Sequence, residues 1–291
     1  MRRNNELLEG NIFKTYINYL LPSIGGMLGI SLYVLGDTLI VGRGLGSSGL
    51  TALNVSIPIM NIFSGLGLLL GIGGATIVSI FKGQNREDDT HRVFSISTII
   101  SIIFGLLIMI LGLTNLEKFS LFLGAEKGKI LNMSMEYLRP LFISSVFFVL
   151  NSSMTVYVRN DNNPRLSMIS MLTGTISNVV LDYIFVIVCN MGMFGAGLAT
   201  SLSPIISLAI LSIHFLRGQN NIRFVMPEFE FALIKRIFSN GASSFIIESM
   251  AGVVIFGFNK VILGLEGNTG VAAYSIIANL SLFCVAVLNG I

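Results

Sequence analysis

Asp182 is the only Asp, Glu, Lys or Arg in the 51 residues from Leu166 to Leu216. A carboxylate at the centre of a membrane helix costs about 2.5–3.5 kcal/mol on insertion scales, and such residues mark ion paths, proton relays or substrate sites. Asn178 lies four residues earlier, on the same helical face. Depth follows from a rise of about 1.5 Å per residue through a core of about 30 Å. Asp182 sits about 24 Å beyond Leu166, Asp37 closes the first apolar run, and Thr200 lies about 8 Å into the sixth. Asp37, Asn178, Asp182 and Thr200 are therefore expected in one layer. They supply hard oxygen ligands for a small cation such as Na⁺, or alternatively two carboxyls close enough to share one proton.

Three further residues are candidates for a substrate cavity or its gating. Glu248 falls near the midplane, about 15 Å into the seventh run. Asn151 is a polar residue of the fourth run. Pro22, flanked by Gly25, Gly26 and Gly29, predicts a bend in the first helix, because proline removes a backbone hydrogen bond and clashes with the preceding turn. Arg139 and Lys260 lie near run ends, where long side chains snorkel, and are read as anchors.

Other chemistry is poorly supported. The sequence has no nucleophile–base–orienter set, no GxGxxG and no phosphate loop, so an enzyme is not expected, nor a cofactor beyond a coupling ion, H⁺ or Na⁺. Cys189 and Cys284 are 95 residues apart in apolar runs and read as small buried hydrophobes. His91 and His214 fall in or beside predicted loops. No Cys/His cluster has metal-ligand spacing, which leaves Na⁺ at Asp37 and Asp182 as the one metal expected.

These residues must be held by membrane helices. The chain is 53% hydrophobic and 11% charged, with mean hydropathy +0.81; soluble domains carry about 25% charged residues. The composition describes an all-α, multi-pass membrane protein. Its partners are the bilayer and a small organic solute, with no nucleic acid and no obligatory protein partner. Apolar runs cover roughly 13–36, 53–81, 93–114, 134–158, 166–189, 195–216 and 238–263, with an eighth from 270 to the end. The first lacks a small-residue cleavage site and reads as a retained helix rather than a signal peptide. Lys and Arg divide twelve to five or six between alternate loops, which places the N-terminus in the cytoplasm of a cell membrane.

Residues 1–216 read as a six-helix lobe and 217–237 as a cytoplasmic linker. Residues 238–291 read as the start of a second lobe. Within the linker, PEFEFALIKRIF (227–238) has the pattern of an interfacial amphipathic helix. A shift of 221 residues carries Gly36, Gly46, Gly49 and Ala52 onto Gly257, Gly267, Gly270 and Ala273. Six spans precede the second copy, so the repeat is parallel, about an axis along the membrane normal.

Several runs together resemble the multidrug and toxic compound extrusion (MATE) family. They are Pro22-Ser-Ile, Asp37-Thr-Leu-Ile-Val-Gly-Arg-Gly-Leu-Gly46 and Ala52-Leu-Asn-Val-Ser-Ile-Pro58, then Gly73-Gly-Ala75 and Ser79-Ile-Phe-Lys-Gly83. Val158-Arg-Asn-Asp-Asn-Asn-Pro-Arg165, Asn178-Val-Val-Leu-Asp182-Tyr-Ile-Phe185 and Gly195-Ala-Gly-Leu-Ala-Thr200 follow. The resemblance implies two six-helix bundles around a central cavity, and export of organic, often cationic, compounds in exchange for protons or sodium. It implies that Asp37, Asn178, Asp182 and Thr200 match the family's amino-terminal cation site. Pro22 matches the proline at which the first helix bends, Asn151 matches a further polar position of the cavity, and Glu248 is similar in placement to a membrane acid of the seventh helix in some members. A twelve-helix member is longer than 291 residues, so the expectation is a chain truncated within its second half. The competing readings are a lipid-linked oligosaccharide flippase of similar architecture and a non-transporting fragment.

Overall fold

The computed structural model describes residues 12–216, 220–226 and 230–289. Within these, the side chains of 12–16, 18–19, 21–34, 268–269, 272, 275–276 and 279–289 are not described. Arg2, Arg3, Arg217 and residues 227–229 of the expected amphipathic segment lie outside the described residues. Every regular element among the described residues is helical, as a bilayer demands of backbone that must satisfy its own polar groups.

Helix α1 (Ile12–Gly83) is two spans joined at Gly46. α2 (Glu87–Thr114), α3 (Leu116–Phe122), α4 (Lys129–Ile143), α5 (Ser145–Asn160) and α6 (Pro164–Asp182) follow. A π-helical turn, Tyr183–Val188, extends α6; α7 is Gly192–Leu216 and α8 is Phe231–Asn289, broken at Gly267. Five described helices are long and apolar enough to cross a membrane, and six if α4 and α5 count as one span.

Local sequence explains the boundaries. Pro164 occupies the first turn of α6, where its missing N–H costs nothing, and Asn163 caps the helix by accepting from Leu166 N at 3.3 Å. Glu87, Asp88 and Asp89 open α2, where acids complement the helix dipole. Buried hydroxyls bond back into their own helices: Ser56 donates to Ala52 O and Ser101 to Ser97 O, both at 2.8 Å.

Two expectations change. The single run 134–158 is two helices, α4 and α5, bent by 58° at Ser144. Pro140 has no N–H to donate in the last turn of α4, and at the bend both the backbone N and the hydroxyl of Ser144 donate to Pro140 O at 3.0 Å. The described part of the amphipathic segment is the start of α8 rather than a separate interfacial helix. Leu233 and Ile237 are buried there, and the helix continues unbroken to Gly267.

The second arm of α1 (47–83) and the first arm of α8 (231–266) pack antiparallel along their length. A Cβ on Gly73 would strike the Ile237 carbonyl, one on Gly241 would strike Leu69, and one on Gly252 would meet Pro58 and Asn61. Small residues that let backbones approach in this way are characteristic of membrane helix pairs. Near the Gly46 end, Asn54 donates to Asn259 Oδ1 at 2.8 Å across the same interface. One buried cluster, around Phe63, Tyr137 and Phe142, fills the Gly46 end; another, around Phe81, Phe94 and Tyr157, fills the Lys82 end.

Candidate coupling-ion site

Asp37 lies nine residues before the Gly46 break, and glycines bring its neighbours close. A Cβ on Gly36 would come within 2.9 Å of Val179, so glycine there lets α1 approach α6 beside Asn178 and Asp182. Gly44 stands in the same relation to Val186 of the π turn, and Gly197 of α7 to the backbone of Tyr137. Four helices, α1, α4, α6 and α7, thus converge where the sequence places its isolated acid.

The four predicted residues meet there. Asp37, Asn178, Asp182 and Thr200 are all buried, and the Asp37 and Asp182 carboxyls face each other side chain to side chain. With its amide nitrogen turned to the carboxylate, Asn178 donates to Asp182 Oδ2 at 2.8 Å and accepts from Thr200 N at 3.2 Å. The opposite orientation would leave a 3.4 Å contact to Thr200 Oγ1, so the first is chemically favoured. Oδ1 of Asp37 and Oδ1 of Asp182 are buried without a donor. Two adjacent buried carboxylates with free lone pairs repel each other and are costly unless a proton or a cation neutralises them. The residues therefore fit a small hard cation or a shared proton equally well.

Sequence reasoning did not find Tyr137. It is fully buried, and its hydroxyl lies 3.3 Å from Thr200 Oγ1 and 3.8 Å from Met60 Sδ. Nor did it find the π turn directly after Asp182; such turns recur at functional sites. The turn also leaves Cys189 exposed rather than buried, correcting the expectation for that cysteine.

The other candidates do not join the cluster by any described contact. Glu248 is half-buried and faces Gly65 of α1, nineteen residues beyond the Gly46 break; by helical rise that is about 15 Å deeper than Asp37. Asn151 is half-buried, with a buried Oδ1 that finds no donor. Pro22 lies inside α1, and its side chain is outside the described residues.

A second polar cluster occupies the Lys82 end, built from residues that no sequence pattern combines. Asp161 accepts from Lys82 Nζ at 2.5 Å and lies 2.9 Å from His214 Nε2. It also accepts from Asn221 N at 2.8 Å and Asn221 Nδ2 at 3.2 Å. His214 is buried in the last turn of α7, beside the loop that follows. Its position in a run otherwise free of charge was a signal of the same kind as Asp182.

Family comparison decides the lineage: the MatE profile matches residues 22–184, more than half of the chain and including three of the four clustered residues. The chain belongs to the MatE family. Among MatE relatives, it is 28% identical over 287 residues to the multidrug export protein MepA of Staphylococcus saprophyticus, covering 97% of this chain and 63% of the relative. MepA of Staphylococcus aureus strain MRSA252 is 27% identical over 288 residues, covering 96% and 62%. A MATE structure in complex with MaL6 superposes on the whole chain and on 66% of its own, at TM-score 0.83 and 26% identity. The MATE multidrug transporter DinF-BH has TM-score 0.88 at 23% identity, covering 94% and 62%, and supports the fold. The chain thus spans less than two thirds of the length of the MepA relatives. These relatives are named as exporters or transporters, not enzymes.

Proposed function

We propose that this chain is part of a secondary active antiporter that exports organic, often cationic, compounds in exchange for H⁺ or Na⁺. The observation that carries the reading is the Asp37/Asp182 pair, buried beside Asn178 and Thr200 with one oxygen on each acid lacking a donor. In the proposed cycle a proton or sodium ion enters between the two acids and removes their repulsion. The first arm of α1, which carries Asp37, then bends at Pro22 and narrows a cavity bordered by Asn151 and Glu248, releasing the solute. The site lies towards the outer face if the N-terminus is cytoplasmic, as the distribution of Lys and Arg supports. The multidrug export for which MepA is named supports the same reading for this chain.

Efflux of a fluorescent organic cation from cells or vesicles carrying the gene product tests it, with imposed H⁺ or Na⁺ gradients. Asp182→Asn keeps the shape but cannot carry the negative charge, and is expected to slow gradient-driven efflux at least tenfold. Unchanged coupled efflux in Asp182→Asn would falsify the proposed role. The ion whose gradient drives the parent is the coupling ion.

A further inference from the structure

Residues 220–226 lie between α7 and α8 in sequence and form no regular element. Their amides nevertheless go to fixed partners, and the partners alternate along the chain. Asn221 N donates to Asp161 Oδ2 at 2.8 Å, Arg223 N to His91 Nδ1 at 3.2 Å, and Val225 N to Ser95 Oγ at 2.9 Å. A period of two is that of an edge strand. Here the neighbouring strand is replaced by side chains from α2 and from the loop between α5 and α6. Ile222, between the first two donors, is fully buried in the cluster that holds Phe81 of α1, Phe94 of α2, and Leu233 and Ile237 of α8.

Asp161 is the centre of this arrangement. Its carboxylate joins the end of α1 through Lys82, the end of α7 through His214, and residues 220–226 through both the backbone and the side chain of Asn221. Asn160, its neighbour, donates to Ala75 O at 3.0 Å and accepts from Ser79 at 3.1 Å, which fixes α5 against α1 at the same level. A buried carboxylate with this many donors is a rigid anchor, and removing it strands its partners.

We propose that Asp161 is a positioning residue that clamps residues 220–226, as a strap, onto the Lys82 end of the first lobe and so sets where α8 begins. α8 starts at Phe231 and closes on Leu69 and Gly73 through Ile237 and Gly241. The clamp therefore holds the α1–α8 seam shut at this end, and the strap must detach before the seam opens.

Hydrogen–deuterium exchange of the purified protein in lipid nanodiscs tests this without reference to transport. In the parent, the peptide covering 220–226 is expected to exchange slowly. Asp161→Ala should speed it at least tenfold, while a peptide within 96–104 of α2 stays protected. Asp161→Asn retains an acceptor oxygen for Asn221 N and should recover most of the protection. Asn221→Pro deletes the same donor from the strap and leaves every lobe side chain in place; it too should free the amides of Arg223 and Val225. The proposal fails if Asp161→Ala and Asn221→Pro leave 220–226 protected, or if Asp161→Asn gives no recovery. It fails equally if 96–104 loses protection to the same degree, since that reports loss of the lobe rather than release of the strap.

Discussion

At the scale of single residues, the two buried acid clusters solve the same problem in opposite ways. Asp161 is surrounded by donors; Asp37 and Asp182 each keep an oxygen that has none. The first arrangement is satisfied by its own donors, and the second leaves oxygens unpaired, which is what supports the proposed ion site. Burial alone would raise the Asp161 carboxyl above its ordinary 3.8, but the bonds from His214 and Lys82, the Lys82 charge and the Asn221 amide outweigh it and hold the group lower. Its stabilisation is then complete above about pH 4 and disappears as the pH falls through the depressed folded value. Asp161→Asn should be less stable than the parent at neutral pH, with the gap closing only below about pH 4; thermal unfolding in detergent across that range measures it. Beside the Asp37/Asp182 cluster, Tyr137→Phe should cost about 1 kcal/mol by depriving Thr200 of its phenol partner. Tyr183→Phe, on an exposed ring, should cost nothing measurable. Asp182 was legible in the sequence because nothing bland explains an acid in so long an apolar run. Tyr137 was not, because a tyrosine in a span raises no such contradiction.

At the scale of elements, the breaks in α1 and α8 are the sharpest features. Gly46 has φ 69°, ψ −161° and Gly267 has φ 63°, ψ −156°, a region that side-chain-bearing residues avoid at a cost of about 1–3 kcal/mol. Nothing lies within 4 Å of a Cβ built at either position, so the cost is conformational rather than steric. Gly46→Ala should destabilise by about that amount. Gly83→Ala, at the end of α1 with open space and no positive φ, should be neutral or slightly stabilising. A clear loss at Gly46 and none at Gly83, for two Gly→Ala changes in one helix measured by denaturation in detergent, is the expected outcome. Helix positions were largely readable from runs of uncharged residues. The π turn was not: it packs against α7 where Gly195 meets Phe185, and no local pattern encodes that contact.

At the scale of the whole molecule, the seam between α1 and α8 is what the proposed transport cycle must open. Asn54 and Asn259, 205 residues apart, bond across it, a contact worth about 0.6 kcal/mol by analogy with other interhelical bonds in membranes and so weak enough to break in the proposed cycle. Asn54→Cys with Asn259→Cys, in a Cys189→Ser/Cys284→Ser background, should form a disulfide readily. Efflux should stop on oxidation and return on reduction, and uninterrupted efflux through the crosslinked form would show that the seam stays closed during transport. The 221-residue repeat appears in the sequence as matched glycines, and in the backbone as two nearly identical breaks at Gly46 and Gly267. The bend is what the two copies share. The same shift carries Asp37 onto Phe258 and Pro22 onto Ser243, so the second copy keeps the glycine break but lacks both the acid and the proline. The molecule carries its own control experiment: two copies of one glycine break, of which the first alone is preceded, nine residues back, by a buried acid.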